Sequence, residues 1–119
     1  MKVSRCMAFL TMAICTQLYA AQVTCVIENN GAEVSIPVKS EPNSLGGQWK
    51  ELEPFRVRTL LAMPLNKNPW LLIEIYVKSD DEDYHILSSH KVPKPFSTGQ
   101  MEVIEPGLGR SLYYQCSAL

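Results

Sequence analysis

Apolar and polar side chains alternate with a period of two along most of the chain, far more often than they repeat at 3.6 residues. The clearest case is the segment 70–78. Its two sides are Leu71, Ile73, Ile75 and Val77, and Trp70, Leu72, Glu74 and Tyr76. Because successive side chains of a strand point to opposite faces of a sheet, this pattern predicts a central β-strand with one face in a hydrophobic core.

The same alternation recurs in seven segments, and no segment has a convincing helical pattern. The segments begin near Val23, Val34, Phe55, Trp70, Tyr84, Gln100 and Arg110. Strands at roughly 8–12-residue spacing in a chain of this length predict an all-β fold, a small antiparallel β-sandwich that is immunoglobulin-like in the broad sense. A small closed β-barrel is the alternative. Since no internal repeat or linker interrupts the pattern, we expect residues 21–119 to form a single domain.

The connections add local detail to this prediction. Asn29-Asn30-Gly31 predicts a type I′ hairpin turn, because Asn and Gly tolerate positive φ. Pro37 cannot donate a hydrogen bond to a neighbouring strand, so its strand is expected at a sheet edge or to end there. Residues 39–53 are mostly polar and contain Trp49, which predicts a long loop.

The N-terminus has the three regions of a secretory signal peptide. Lys2 and Arg5 supply positive charge, about ten apolar residues follow, and small residues lead to a cleavage site after Ala20. The apolar run is shorter than the roughly 20 residues that a membrane-spanning helix needs. Lipidation at Cys15 is disfavoured, because Ile14 stands where a small residue is required. We therefore expect residues 1–20 to be removed and the protein to be exported, to a periplasm or the extracellular space.

Loss of this leader changes the charge and the cysteine count. Lysine plus arginine falls from 11 to 9 against 12 acidic residues, so the formal net charge changes from −1 to −3. Lys50, Arg56 and Arg58 form the only basic cluster, which argues against a nucleic-acid partner. Two cysteines remain, Cys25 and Cys116, and such a pair in an exported chain predicts a disulfide that closes a loop of about 91 residues.

Neither a metal site nor a catalytic group is expected. His85 and His90 are five residues apart on one predicted strand, and an odd spacing sends their side chains to opposite faces. The acidic run 80–83 lacks the ligand pattern of a calcium-binding loop and fits a solvated hairpin tip. Ser88 and Ser89 have no strand-to-helix elbow that would aim a nucleophile at a base. We expect no cofactor and no enzymatic activity.

Aromatic side chains remain as candidates for partner binding, namely Trp49, Phe96, Trp70 and Tyr76. The alternative is that they fill the core. We expect a small exported protein-binding module, such as an inhibitor or immunity protein, or an accessory to assembly of a surface structure. Its partner would be another exported or envelope protein, with no stable membrane insertion after leader cleavage. The loop around Trp49, or strand addition at the edge carrying Pro37, would supply the contact. A carbohydrate-binding module or a small envelope hydrolase is the alternative function.

Overall fold

The computed structural model describes residues 23–42 and 46–118, and the predicted leader, residues 1–20, lies outside them. The described part contains nine strands and no helix. The strands are β1 Val23–Asn29, β2 Ala32–Val38, β3 Ser40–Glu41, β4 Gln48–Leu52, β5 Phe55–Ala62, β6 Trp70–Lys78, β7 Tyr84–Pro93, β8 Gly99–Ile104 and β9 Ser111–Ala118.

These strands form two sheets that pack face to face. The first has the order β2-β1-β9-β8. In the second, β5, β6 and β7 are neighbours in that order, and β3 and β4 both pair with the other side of β5. Every pair is antiparallel except β3 with β5. Since each sheet keeps free edges, the predicted sandwich is confirmed and the closed barrel is excluded.

The core lies between the sheets and follows the alternation of the sequence. In β6 the side chains of Leu71, Ile73, Ile75 and Val77 are all buried in it, as predicted. The opposing sheet contributes Val23, Cys25, Ile27, Ile36, Val38, Leu112, Tyr114 and Cys116. Full burial of a Leu, Ile or Phe side chain stabilises the fold by about 1.5–3 kcal/mol, so this layer dominates the favourable free energy of folding.

Two local predictions in the first sheet are confirmed. Asn30 and Gly31 have φ of 57° and 80°, and they join β1 to β2 as the two central residues of the predicted turn. Pro37 pairs with Thr24 inside β2, which is the edge strand. A proline at a paired position keeps its nitrogen on the outer side of the ladder, where no hydrogen bond to β1 is lost.

The predicted disulfide joins the first strand to the last. Cys25 and Cys116 face each other across the β1–β9 pair, with an S–S distance of 2.07 Å, and both side chains are fully buried. The bond closes 91 residues of chain. It is compatible with an oxidising compartment.

The prediction of a long loop over residues 39–53 was wrong, and so was the count of seven strands. This stretch contains β3 and β4, and Trp49 lies on β4. Because β4 is an edge strand at the open side of the sandwich, it carries polar side chains on both faces, such as Lys50 and Glu51. A strand that buries neither face fully has no hydrophobic alternation for sequence analysis to detect.

Candidate functional site

The candidate site lies on the outer face of the second sheet, the face directed away from the core. Cross-strand register places Glu51, Arg56, Tyr76 and Ile86 in one row across four strands. The neighbouring rows place Trp49 on one side of this row and Tyr84 on the other. We call these six residues the outer-face cluster.

Arg56 is the centre of the cluster. Its guanidinium carbon lies 4.1 Å from the ring centroid of Tyr84 and 5.8 Å from that of Trp49. The Arg56 Nε also donates to Glu51 Oε2 at 2.5 Å. A cation over an aromatic face gains about 0.5–1 kcal/mol at an exposed site, and the ion pair fixes the guanidinium orientation. One arginine therefore organises two aromatic rings from different strands.

Tyr76 supports Trp49 from the adjacent strand. The two ring centroids are 5.4 Å apart and the planes are inclined by 47°. The Tyr76 hydroxyl donates to Glu74 Oε1 at 3.1 Å, and Arg58 Nη1 donates to the same oxygen at 2.8 Å. Burial, followed by the acceptor carboxylate of Glu74, raises the pKa of Tyr76, so the phenol stays neutral and continues to donate.

The hydroxyl of Tyr84 contacts two carboxylates. Its hydroxyl lies 3.2 Å from Glu51 Oε1 and 3.4 Å from Glu53 Oε2. Desolvation raises the pKa of Tyr84, and the charges of Glu51 and Glu53 raise it further. The ring under Arg56 is therefore fixed at both its face and its hydroxyl.

Two apolar side chains of the cluster reach solvent despite these contacts. Trp49 is 52% exposed and Ile86 is 54% exposed. Trp, Tyr and Arg are the residue types most enriched among energetically dominant interface residues, and ordered side chains lose little entropy on binding. The cluster thus has the composition and the preorganisation of a protein-binding surface.

Of the four aromatic residues predicted to bind a partner, the structure brings two together, Trp49 and Tyr76. Trp70 is on the same face but at the other end of β6, packed with Leu60, Ala62 and Leu72 and covered by Lys91, whose Nζ is 5.2 Å from the ring centroid. Phe96 is only 5% exposed and belongs to the core. Its burial removes it from the candidate surface.

Glu51, Arg56, Tyr84 and Ile86 were missed as site residues. The sequence places Arg56 on the same strand face as Arg58, which suggested only a solvated strand face. The signal that identifies them is the register between β4, β5, β6 and β7, because residues far apart in sequence become neighbours only when strands are aligned. No pattern within a single strand contains that information.

The prediction that His85 and His90 lie on opposite faces was wrong. The register shifts between Ile75 and Tyr76, so that His85 pairs with Val77 and His90 with Ile73, both on the core side. A β-bulge inserts one extra residue into a strand, so two residues at an odd spacing that includes the bulge lie on the same face of the sheet. The rings still do not meet: His85 Nε2 contacts Ser79 Oγ at 3.1 Å, and His90 Nδ1 contacts the Tyr114 hydroxyl at 3.1 Å.

The acidic run lies in the turn between β6 and β7, as predicted, where the Asp81 carboxylate accepts from the Ser79 hydroxyl. That hydrogen bond lowers the pKa of Asp81. Within residues 23–42 and 46–118, no three His, Cys, Asp or Glu side chains are grouped as metal ligands.

Comparison with protein-family models, with curated proteins and with solved structures finds no match to this chain. Among the described residues there is no helix long and apolar enough to cross a membrane.

Proposed function

We propose that this chain is an exported, non-enzymatic module that binds another exported or envelope protein through the outer-face cluster. The observation that carries the proposal is Trp49, which is half exposed yet held in place by Tyr76 and Arg56. Because about half of the Trp49 side chain remains exposed, its burial gives the isolated domain only part of the stabilisation that a core tryptophan would give. Tryptophan is, however, the side chain that contributes most often to the centre of a protein interface.

The charge distribution supports a protein partner over a carbohydrate. A stacking platform for sugar rings needs coplanar exposed aromatics, whereas Trp49 and Tyr76 are inclined by 47°. The surroundings are ionic, with Arg56 paired to Glu51 and Arg58 paired to Glu74. An apolar centre surrounded by charged groups is the usual anatomy of a protein interface. The module acts by covering a surface of its partner, as an inhibitor, an immunity protein or an assembly accessory does.

We expect Trp49→Ala to lower the affinity for the natural partner at least 30-fold, about 2 kcal/mol, because a large aromatic at an interface centre is lost. Since half of the side chain is already exposed, the loss of its contacts with Arg56 and Tyr76 should cost roughly 1 kcal/mol and lower the melting temperature by no more than about 8 °C. The partner is first captured from the exported fraction of the host with the purified protein and identified by mass spectrometry. Titration calorimetry then gives the dissociation constants.

Leu65→Ala is the matched control, because Leu65 is a large apolar residue that is 86% exposed and lies in the turn between β5 and β6. Its replacement should leave the affinity unchanged. A Trp49→Ala variant that binds with wild-type affinity and melts at a clearly lower temperature would assign Trp49 to stability and would refute the proposed interface.

A further inference from the structure

A second feature lies at the open side of the sandwich, where β2 of one sheet faces β4 of the other. A cleft of about 190 Å³ lies between these edge strands, with Thr59 of β5 in its lining. The residues around it are Val34, Ser35, Ile36, Pro37, Gln48, Trp49, Lys50 and Thr59. We call it the edge cleft.

The side chain of Thr59 is the first sign that the edge cleft binds something. Thr59 is 1% exposed, and among the described residues its Oγ1 has no hydrogen-bond partner. Nearly all buried polar atoms in folded proteins are hydrogen-bonded, so a buried hydroxyl left without a partner needs a specific explanation. Its position in the lining of a cleft provides one, because a ligand that enters the cleft can supply the missing partner.

The other polar groups of the edge cleft determine what that ligand is. The Oε1 of Gln48 already accepts from the Lys39 backbone N–H at 2.7 Å, which leaves the amide N–H groups of Gln48 to donate. Lys50 is exposed, and no ion pair of the described chain involves it. A hydroxyl, an amide N–H and an ammonium are all able to donate, and no acidic side chain lines the cleft. The complementary group is a hydrogen-bond acceptor, a carboxylate or a carboxamide.

The volume indicates that this group arrives on a side chain. Sites for small molecules usually measure about 300–1,000 Å³, whereas a cavity of about 150 Å³ already holds a benzene ring. The edge cleft therefore fits one side chain of a larger molecule.

The free edge of β2 determines how that larger molecule is held. No described strand pairs with the outer side of β2. Pro37 turns its nitrogen to this side, so by alternation the N–H and C=O groups of Glu33 and Ser35 also point outward. An extended peptide can bond to these groups as an added strand, and every second side chain of that strand then faces the edge cleft.

Given the proposed protein-binding function, we infer that the edge cleft binds an extended segment of the partner. The segment adds to β2 as a fifth strand of the first sheet and inserts one Asp, Glu, Asn or Gln side chain towards Thr59, Gln48 and Lys50. A second copy of this chain is a poorer occupant. In an antiparallel pair of two β2 strands centred on Ser35, each Glu33 carbonyl would face the nitrogen of Pro37, which carries no hydrogen.

The test starts from random decapeptides displayed on phage and selected on the purified protein. We expect the binders to share one position occupied by Asp, Glu, Asn or Gln. One synthetic peptide with the shared selected sequence is then titrated into the wild-type protein and into the Thr59→Val variant, which lacks the hydroxyl but keeps the side-chain shape. The variant should bind the peptide at least 10-fold more weakly than the wild type, and its melting temperature should not be lower. Thr24→Val, the same substitution on the outer face of the first sheet, should bind like the wild type.

Amide hydrogen exchange supplies a second readout that a purely structural role of Thr59 would not change. With the peptide bound, exchange of the Glu33 and Ser35 amides should slow at least 10-fold. Failure to select any binder, selected sequences without a shared acceptor position, or protection of amides on another strand would overturn the inference. So would protection of Glu33 and Ser35 in a dimer that forms without peptide.

These outcomes separate the inference from the proposed function. Because Trp49 also lines the edge cleft, the separating variant is Ile86→Ala, a cluster residue outside that lining. Should Ile86→Ala weaken binding of the natural partner while Thr59→Val does not weaken the selected peptide, the outer-face cluster is the interface and the inference about the edge cleft is wrong. If instead the cluster variant binds the natural partner normally and Thr59→Val weakens the peptide, the inference about the edge cleft stands and the outer-face cluster is not the interface.

Discussion

A double variant, Cys25→Ala with Cys116→Ala, is expected to lower the free energy of unfolding by about 4–5 kcal/mol. The bond joins residues 91 apart, and the loss of loop-closure entropy in the unfolded chain gives this value for a loop of that length. A domain of this size has a total stability of about 5–15 kcal/mol, so the variant should be close to unfolding at 37 °C. Alanine is chosen because both sites are fully buried and a serine hydroxyl there would add a desolvation cost.

Urea denaturation followed by tryptophan fluorescence measures the effect. Wild-type protein that is reduced with dithiothreitol in denaturant and refolded with dithiothreitol still present is the control, because it lacks the bond while both cysteines are kept. The two losses of stability should agree within about 1 kcal/mol. A loss below about 1 kcal/mol in both, or the finding of two reactive thiols in the native wild-type protein, would contradict the prediction.

The sequence predicts structure best where the deciding residues are close together in the chain. The alternation in β6 predicts the core face, and the Asn-Gly turn after β1 predicts a hairpin, because both features depend on neighbours in sequence. The disulfide is predictable for another reason: if the predicted leader is removed, Cys25 and Cys116 are the cysteines that remain to pair. A feature can be predicted without a structure when it depends on neighbours in sequence, or when only one pairing of residues is possible.

The candidate site could be predicted only in part, because it is a property of the register between strands. Trp49 and Tyr76 have the right residue type, but Arg56 becomes the centre of the cluster only when β4, β5, β6 and β7 are aligned. Phe96 shows the opposite error. It follows two prolines in a segment that resembles an exposed loop, yet its backbone has φ of 66° and its side chain is in the core. Contacts between residues far apart in the chain determine whether such side chains are buried, and a single sequence does not show those contacts.

Tyr114→Ala is the second substitution with a large expected effect, a loss of about 3–5 kcal/mol in the free energy of unfolding. Tyr114 has the largest fully buried side chain among the described residues, and deleting an aromatic ring from a core leaves a cavity. Its hydroxyl also contacts His90 Nδ1 on β7 at 3.1 Å, which links the two sheets through the core. Burial raises the pKa of Tyr114, so the phenol remains neutral and protonated within that contact.

Two further variants separate the contributions of the ring and the hydroxyl. Tyr114→Phe keeps the ring and should lose only about 1 kcal/mol, the net value of one hydrogen bond together with the cost of leaving the His90 nitrogen without its partner. Tyr113→Ala is the control, because Tyr113 is adjacent in sequence, half-buried and directed to the other face of β9, and it should lose less than about 1 kcal/mol. Urea denaturation of all three variants gives the comparison. Equal losses for Tyr113→Ala and Tyr114→Ala would mean that β9 does not present Tyr114 to the core, and the sandwich arrangement of the two sheets would then be wrong.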